Sequence, residues 1–374
     1  MNQNQKNFNL YIYLSTISRN LIETFIPIIL YSYGYSLKEV IFYFLLTNVF
    51  SLILTYPFVS FSKKYNNRIL AIIGATAFVV VQILLNFIDY NIFYLILIAF
   101  IYSIYRRGYW ISRRYYNLKI IGKNKISSTY SFISILNQVG VVVSSYVGSL
   151  FLDFISIKTL TIISIILYFT SVFPLWLLKF QHEKNDIKLD LVKTIKQIPK
   201  RNLYLFGSYE LSNVLKFLFT MYLFIYVKNN YHTIGLLNLV SNVAIILFTY
   251  LYGKKIDGKK NFIKLSILLV CFISIVKVNS TSFLLIFISF LEGIFNKMYE
   301  LSIHKEFYVM SKKFEYYNYN LIYEMIQNFS RSFIVLLLLI FIKDLKVMIY
   351  IVIIFISLGI LIDFKHLKKR SFKI

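Results

Sequence analysis

The sequence predicts an all-α integral membrane protein with about twelve transmembrane helices in two bundles of six. Three observations lead to this fold class. Of the 374 residues, 58% are apolar and 15% are charged, against roughly 45–50% and 25% in soluble domains. The apolar residues form blocks close to the roughly 20 residues that a helix needs to cross a bilayer. The basic residues are concentrated in alternate loops between these blocks.

The apolar blocks define twelve predicted helices, six on each side of a polar segment. Their expected ranges are 9–33, 38–60, 69–88, 91–110, 128–152, 157–178, 203–227, 232–252, 262–278, 281–299, 317–341 and 346–363. We therefore expect an N-terminal six-helix bundle over 1–180, a cytoplasmic linker over 181–202, and a C-terminal bundle with a basic cytoplasmic tail over 203–374. Within the linker, apolar residues spaced four apart are compatible with either a short amphipathic helix on the inner membrane surface or a solvated connection.

The formal charge of +25 is explained by topology. We count 32 of the 41 Lys and Arg residues at the amino terminus and in alternate segments, namely 63–68, 106–125, 179–201, 254–264, 297–313 and 365 onward. Such alternation follows from the positive-inside rule when both termini are cytoplasmic. We therefore expect a multi-pass protein of the cytoplasmic membrane, in contact with the lipid bilayer and with no nucleic-acid partner.

Several classes of function are disfavoured by motifs that the sequence lacks. There is no phosphate-binding Gly-x-x-x-x-Gly-Lys loop and no His-Glu-x-x-His pair, and the four histidines are expected to be isolated in loops or at helix ends. The single cysteine, Cys271, allows no disulfide within the chain. Residues 1–8 are polar and no small-residue cleavage site follows the first apolar run, so we expect no cleaved signal peptide. We predict no metal site, no cofactor and no enzymatic activity.

A short basic loop joins the eighth and ninth predicted helices. It reads Gly253-Lys254-Lys255-Ile256-Asp257-Gly258-Lys259-Lys260. Its Gly-x-x-x-Asp pattern and basic cluster resemble the signature loop of the major facilitator superfamily, which joins the second and third helices of each half. At the corresponding first-half position, between residues 58 and 68, Ser62-Lys63-Lys64 stands in place of the acid.

The two sets of helices also show traces of an internal repeat. Asn9-Leu10-Tyr11 opens the first set and Asn202-Leu203-Tyr204 the second; at the same offset Ser15 meets Ser208, Asn20 meets Asn213 and Tyr33 meets Tyr226. These matches favour a parallel repeat and extend the resemblance to nearly the whole chain. The resemblance implies two bundles related by a pseudo-two-fold axis around a central cavity, with a midplane site exposed to either side in turn.

Polar residues at membrane depth are costly and are therefore candidates for function. We predict cavity or coupling roles for Arg19, Glu23, Asn137, Gln138, Glu210, Lys216, Glu292, Glu324, Gln327 and Arg331. The resemblance implies that helices one, four, seven and ten line the cavity, flanked by five and eleven. The alternative is a set of structural ion pairs, such as Arg19 with Glu23, which lie four apart on one helix face, or Lys216 with an acid of a neighbouring helix.

Two mechanistic expectations follow. Burial disfavours the ionised form of an acid, so Glu292 and Glu324 are our candidates for proton coupling, with Glu23 held ionised by Arg19. Gly253, Asp257, Lys259 and Lys260 are the predicted gate, because pseudo-symmetry places Asp257 below the amino end of the fifth helix, where free N–H groups favour an anion. A simple turn between helices is the alternative for Asp257.

Gly140, Ser144 and Gly148 form a small-residue stripe on the fifth predicted helix, which predicts close helix packing. Many exporters of the resembled superfamily carry a Gly- and Pro-rich segment in this helix, although the Pro is missing here.

The resulting functional prediction is a monomeric secondary active transporter. It would move a small-molecule or peptide substrate by alternating access, with proton-coupled efflux preferred over import. A flippase or membrane enzyme for cell-envelope lipid or polysaccharide is one alternative, although the expected outer loops are too short for an envelope polymerase. A transporter-like immunity or sensor protein is the other, and the missing first-half acid keeps it open.

Overall fold

The structure, a computed structural model, describes residues 3–88, 90–120, 126–179, 189–228, 231–253, 262–280, 284–341 and 344–371. Fourteen α-helices lie in these ranges: α1 Gln3–Asn20, α2 Ile26–Ser32, α3 Leu37–Lys64, α4 Asn67–Asn86, α5 Ile92–Ile120, α6 Ile126–Phe154, α7 Ile157–Trp176, α8 Leu191–Gln197, α9 Lys200–Leu223, α10 Tyr231–Tyr252, α11 Phe262–Val278, α12 Leu284–Ser311, α13 Tyr316–Phe341 and α14 Leu345–Ser371.

The predicted all-α membrane fold is confirmed. The helices α1 and α2 together replace the first predicted helix, and α3 to α7 and α9 to α14 correspond to the other eleven. Among the described residues, seven helices are long and apolar enough to cross a membrane on these criteria alone, namely α3, α4, α5, α6, α7, α10 and α13. The helices α1, α9 and α12 each carry at least one charged residue that lines the interior.

Two helix pairs form the most extensive contacts between the first and second sets. These are α6 packed on α10 and α3 packed on α13. In the order of the predicted helices, the first pair joins five to eight and the second joins two to eleven. A repeat of six helices converts one pair into the other, so the interface has the pseudo-two-fold character that the sequence repeat implies.

Three helices extend well beyond their predicted ends, namely α5, α12 and α14, the last of which ends at Ser371 instead of residue 363. The structure continues α5 to Ile120 instead of residue 110, and α12 to Ser311 instead of residue 299. As a result Arg106, Arg107, Arg113 and Arg114, which we had assigned to a cytoplasmic loop, are buried side chains of α5. The loop assignment was wrong because these arginines find polar partners inside the protein, as described below.

The first predicted helix is broken near its middle. The first part, α1, ends at Asn20, a single 3-10 turn spans Glu23–Phe25, and α2 begins at Ile26 with a proline in its first turn. Proline lacks an N–H and is tolerated in a first turn, where that group has no helical partner. Gly148 of α6 lies against the break, since a Cβ placed there would be 2.4 Å from the Leu21 carbonyl oxygen. The small-residue stripe thus packs against α1.

Of the two alternatives for the linker, the structure shows a short helix, α8, over Leu191–Gln197. Asp190 caps this helix, with its Oδ1 accepting a hydrogen bond from the Lys193 N–H at 2.9 Å. Residues 181–188 of the predicted linker lie outside the described ranges.

The contact at Gly148 generates a first prediction. We expect Gly148→Ala to destabilise the protein by about 1–3 kcal/mol, because the added methyl meets backbone that cannot move without shifting a helix. The measurement is the melting temperature of the purified protein in detergent. Gly140→Ala is the matched control, since the nearest atom to its Cβ would be the Thr16 methyl carbon, at 3.3 Å rather than 2.4 Å. Equal melting temperatures for the two variants would contradict this account.

Candidate functional site

A cavity of about 500 Å³ lies between the two sets of helices. Its walls are built by α1, α2, α3, α5, α6, α9, α12 and α13. The charged residues that line it are Arg19, Glu23, Arg106, Arg107, Arg113, Arg114, Glu210, Lys216, Glu300, Glu324 and Arg331. Seven are basic and four are acidic, so the wall carries a formal excess of three positive charges.

Most of the residues predicted for the cavity meet there. Arg19, Glu23, Asn137, Gln138, Glu210, Lys216, Glu324, Gln327 and Arg331 all belong to the lining. Glu292 is not among the lining residues; its Oε2 lies 2.5 Å from Lys277 Nζ in a buried ion pair between α12 and α11. Of the predicted gate, Gly253 is described, whereas Asp257, Lys259 and Lys260 lie outside the described residues.

Glu324 forms the principal ionic contact between the two sets of helices. Its carboxylate on α13 is fully buried and forms ion pairs with Arg107 and Arg114 of α5. The two arginines are seven residues apart, or about two helical turns, and therefore lie on one face of α5. Arg114 also donates a hydrogen bond to Gln327 Oε1 at 3.3 Å. We call Arg107, Arg114 and Glu324 the ionic closure.

The other lining acids are also paired. Arg331 Nη2 lies 2.7 Å from Glu210 Oε2, which joins α13 to α9. The predicted pair of Arg19 with Glu23 is present, with Nε 2.8 Å from Oε2. Because unpaired buried charges are destabilising by several kcal/mol each, these contacts are what allows the acids to occupy the interior.

Glu300 is paired by a residue that also reaches across the cavity region. Lys297 Nζ lies 2.6 Å from Glu300 Oε1 and 2.5 Å from the Ser134 hydroxyl oxygen of α6. Its ammonium group therefore connects α12 of the second set with α6 of the first. Nearby, Asn117 Nδ2 donates to the Tyr308 hydroxyl at 3.1 Å, again between the sets.

Aromatic side chains join the two sets near the opposite end of the cavity. The ring centroids are 4.2 Å apart in the stacked pair Phe44–Phe217, 5.9 Å in Phe25–Tyr231 and 6.3 Å in Tyr31–Phe224. We call these six residues the aromatic closure. A hydrogen bond between the Ser32 and Tyr231 hydroxyls, at 2.8 Å, supports it. The cavity thus has closures of different chemistry at its two ends.

Sequence reasoning missed all the lining residues of α5 and α12, of which the ionisable groups other than tyrosine are Arg106, Arg107, Arg113, Arg114, Glu300 and His304. A signal for the arginines was present, because Arg106 with Arg113 and Arg107 with Arg114 repeat at a helical spacing of seven. His304 was expected in a loop, but it lies within α12 and lines the cavity. The described part of the chain holds no cluster of three His, Cys, Asp or Glu residues suited to a metal ion.

Comparisons with known proteins agree with this architecture. The sequence model of the Major Facilitator Superfamily matches residues 10–295. The structure is similar to a crystal structure of a bacterial homologue of the iron transporter ferroportin in its outward-facing state, with a TM-score of 0.70, 12% identity, and coverage of 98% of this chain and 99% of that one. At this identity the similarity concerns the fold alone. No curated protein sequence matches the chain.

The burial of the ionic closure leads to a second prediction. We expect Glu324→Gln to lower stability by about 3–5 kcal/mol, because it leaves two buried guanidinium groups without their counter-charge. The measurement is the thermal or denaturant unfolding of the purified protein. Glu306→Gln is the control, since Glu306 and Arg201 are about one-quarter exposed and 3.9 Å apart, and such pairs contribute about 0–1 kcal/mol. A loss no larger for Glu324 than for Glu306 would refute a stabilising ionic closure.

Proposed function

The chain belongs to the major facilitator superfamily, and we propose that it is a secondary active transporter that moves a small molecule across the cytoplasmic membrane by alternating access. The observation that carries the proposal is the central cavity with an ionic closure near one end and an aromatic closure near the other. Membership of this family makes the chain a multi-pass membrane transport protein. The direction of transport, its coupling and its cycle are our proposals.

Alternating access requires that each closure opens while the other stays shut. With both termini in the cytoplasm, the ionic closure faces the inside and the aromatic closure the outside. Opening the ionic closure admits water, which solvates the separated charges and offsets the loss of the ion pairs. Opening the aromatic closure exposes apolar rings instead. The break between α1 and α2, next to Phe25 and Glu23, supplies a point at which the outer part of the first helix can move independently.

We further propose coupling to protons, in the direction of efflux. A proton on Glu324 would remove the charge that holds Arg107 and Arg114, and would thereby weaken the ionic closure. Glu292 can act similarly on α11 and α12 through Lys277, outside the cavity. The stripe of Gly140, Ser144 and Gly148 in α6 supports efflux by its resemblance to the Gly- and Pro-rich segment of exporters in this family, although the Pro is missing and the stripe also packs against α1.

The basic loop after Gly253 is the proposed gate on the inner face. A Cβ at Gly253 would lie 2.4 Å from the Ser131 hydroxyl oxygen, so the loop starts against the amino-terminal part of α6. Four residues span at most about 14 Å, and Ile126, the first residue of α6, precedes Ser131 by five residues, or about 7.5 Å of helix. Asp257 is therefore within reach of the amino end of α6, where we propose that it latches the inner closure.

Cross-linking of the two closures provides a third prediction. Cys271 is the only cysteine, so Cys271→Ser gives a background for engineered pairs. Cross-linking of the pair Tyr31→Cys with Phe224→Cys, or of Asn117→Cys with Tyr308→Cys, by a bifunctional methanethiosulfonate reagent should stop flux in proteoliposomes because each link holds the two sets of helices together at one end of the cavity. Reduction, which releases the reagent, should restore flux.

The control for this experiment is a pair inside the first set. Asn86 Nδ2 lies 2.8 Å from Thr161 Oγ1, between α4 and α7, so a cross-link there should leave flux within about twofold of the reduced protein if the set moves as a unit. Flux that persists with either closure locked would refute alternating access. Asp257→Asn should slow cross-linking of the inner pair, and unchanged cross-linking together with normal flux would refute the latch.

Proton coupling gives a fourth prediction. For compounds found in an uptake screen, wild-type flux should follow an imposed pH gradient. Glu324→Gln and Glu292→Gln should each lower that gradient-driven flux by about tenfold or more, equivalent to about 1.4 kcal/mol of barrier, while downhill exchange continues. Gradient-driven flux unchanged in both variants would refute coupling through these acids. A folded protein that binds a ligand without any flux would instead favour the sensor alternative.

A further inference from the structure

We propose that the ligand of this cavity is an organic anion, which binds through a carboxylate or phosphate group to Arg113 beside Trp110, with Lys216 contributing from the other set of helices. This inference rests on the proposed transport function, because it names the class of substrate. It is drawn from the charges of the cavity and from the partners that each charged group has.

Three basic residues of the cavity wall form no ion pair with an acid of the described residues. Each of the four lining acids already has a basic partner: Glu23 has Arg19, Glu210 has Arg331, Glu300 has Lys297, and Glu324 has Arg107 and Arg114. Throughout the ranges that the structure covers, no acid forms an ion pair with Arg106, Arg113 or Lys216. With Lys297 included there are eight bases against four acids, and the excess of four resides on these three side chains and on the second guanidinium group of the ionic closure.

Arg113 is the most informative of the three. Its side chain is buried, yet its hydrogen bonds go to neutral acceptors, the Tyr109 hydroxyl at 2.7 Å and Asn137 Oδ1 at 3.1 Å. Arg106 likewise donates to a neutral amide oxygen, Asn48 Oδ1, at 3.1 Å. Hydrogen bonds to neutral groups do not cancel the charge of a buried guanidinium. A bound anion would.

Trp110 marks the point where the guanidinium groups converge. The central guanidinium carbons of Arg113, Arg19 and Arg114 lie 5.1, 5.5 and 5.9 Å from the centre of its ring. Two of these charges are paired, Arg19 with Glu23 and Arg114 with Glu324, so the unpaired charge that an oxyanion would meet beside Trp110 is that of Arg113. The planar guanidinium fork of Arg113 also matches the two oxygens of a carboxylate or phosphate.

Lys216 adds a charge from the other set of helices. It lies on α9, is exposed to the cavity, and faces a lining that includes Trp110 of α5. An anion that contacts both Arg113 and Lys216 would draw the two sets together. A cationic cargo, by contrast, would add to a wall that already carries an excess of three positive charges.

The test uses the tryptophan that lies at the proposed site. The chain has two tryptophans, and Trp176 is 59% exposed and outside the cavity. The variant Trp176→Phe therefore leaves Trp110 as the reporter in the full-length protein. Its fluorescence is titrated with citrate and glucose 6-phosphate, and with glucose and spermidine as neutral and cationic comparators. We expect saturable changes with one or both anions and none with the comparators; the two anions separate carboxylate from phosphate recognition.

Variants in this background tie the response to the charges. Arg113→Gln should weaken the anion response by about tenfold or more, as expected for one charge-assisted contact, and Arg113→Lys should recover part of it. Lys216→Gln offers a second variant at a position exposed to the cavity, in case Arg113→Gln does not fold. Lys38→Gln, at an exposed position outside the cavity, removes the same single charge and should change nothing.

Each outcome either supports or overturns the inference of an anionic ligand. Saturation by glucose or spermidine alone would overturn the inference, as would equal responses of the reporter protein and the Gln variants, including no response to any probe. Saturable anion binding without flux would uphold the inference while removing the transport function. Flux of a neutral compound by a protein that does not bind anions would uphold the transport function and overturn the inference of an anionic ligand.

Discussion

The pairing of Glu324 with Arg107 and Arg114 is the interaction on which the rest of the structure depends. An ionised group inside a membrane protein is tolerated only where a partner or water neutralises it. Here the carboxylate belongs to α13 and both guanidinium groups to α5. This carboxylate of the second set is therefore neutralised by guanidinium groups of the first set, and closing this end of the cavity is the same event as neutralising it.

The two ends of the cavity consequently respond differently to water. Ion pairs lose most of their attraction when water enters between them, but hydration of the freed charges offsets that loss. Stacked rings such as Phe44 and Phe217 gain no such compensation, because exposing their apolar surface is unfavourable. A cycle built from one closure of each kind is not symmetric: the ionic end separates readily once wetted, whereas the aromatic end favours the shut state unless the break after α1 relieves it.

The fold could be predicted from the sequence because hydropathy and charge alternation are local properties that can be read without knowledge of packing. The ends of α5 and α12 could not be predicted, for a physical reason. A buried Arg and a loop Arg look alike in a hydropathy window, and the partner that permits burial of Arg107 lies 217 residues away. Glu292 shows the converse error of reading depth as exposure to a cavity, since it is deep but satisfied by Lys277 of the adjacent helix.

In the proposed cycle, the arginines of α5 would also connect binding to movement. Arg113 and Arg114 are consecutive, and both guanidinium groups lie within about 6 Å of the Trp110 ring centre. Arg114 is at the same time a partner of Glu324 in the ionic closure. An anion beside Trp110 would therefore compete with Glu324 for the charge of Arg114, and would supply to Arg113 the counter-charge that the protein withholds. The more strongly Arg114 pairs with the ligand, the weaker its ion pair with Glu324 becomes. Ligand binding in the cavity and opening of the ionic closure would therefore be coupled through the same guanidinium group.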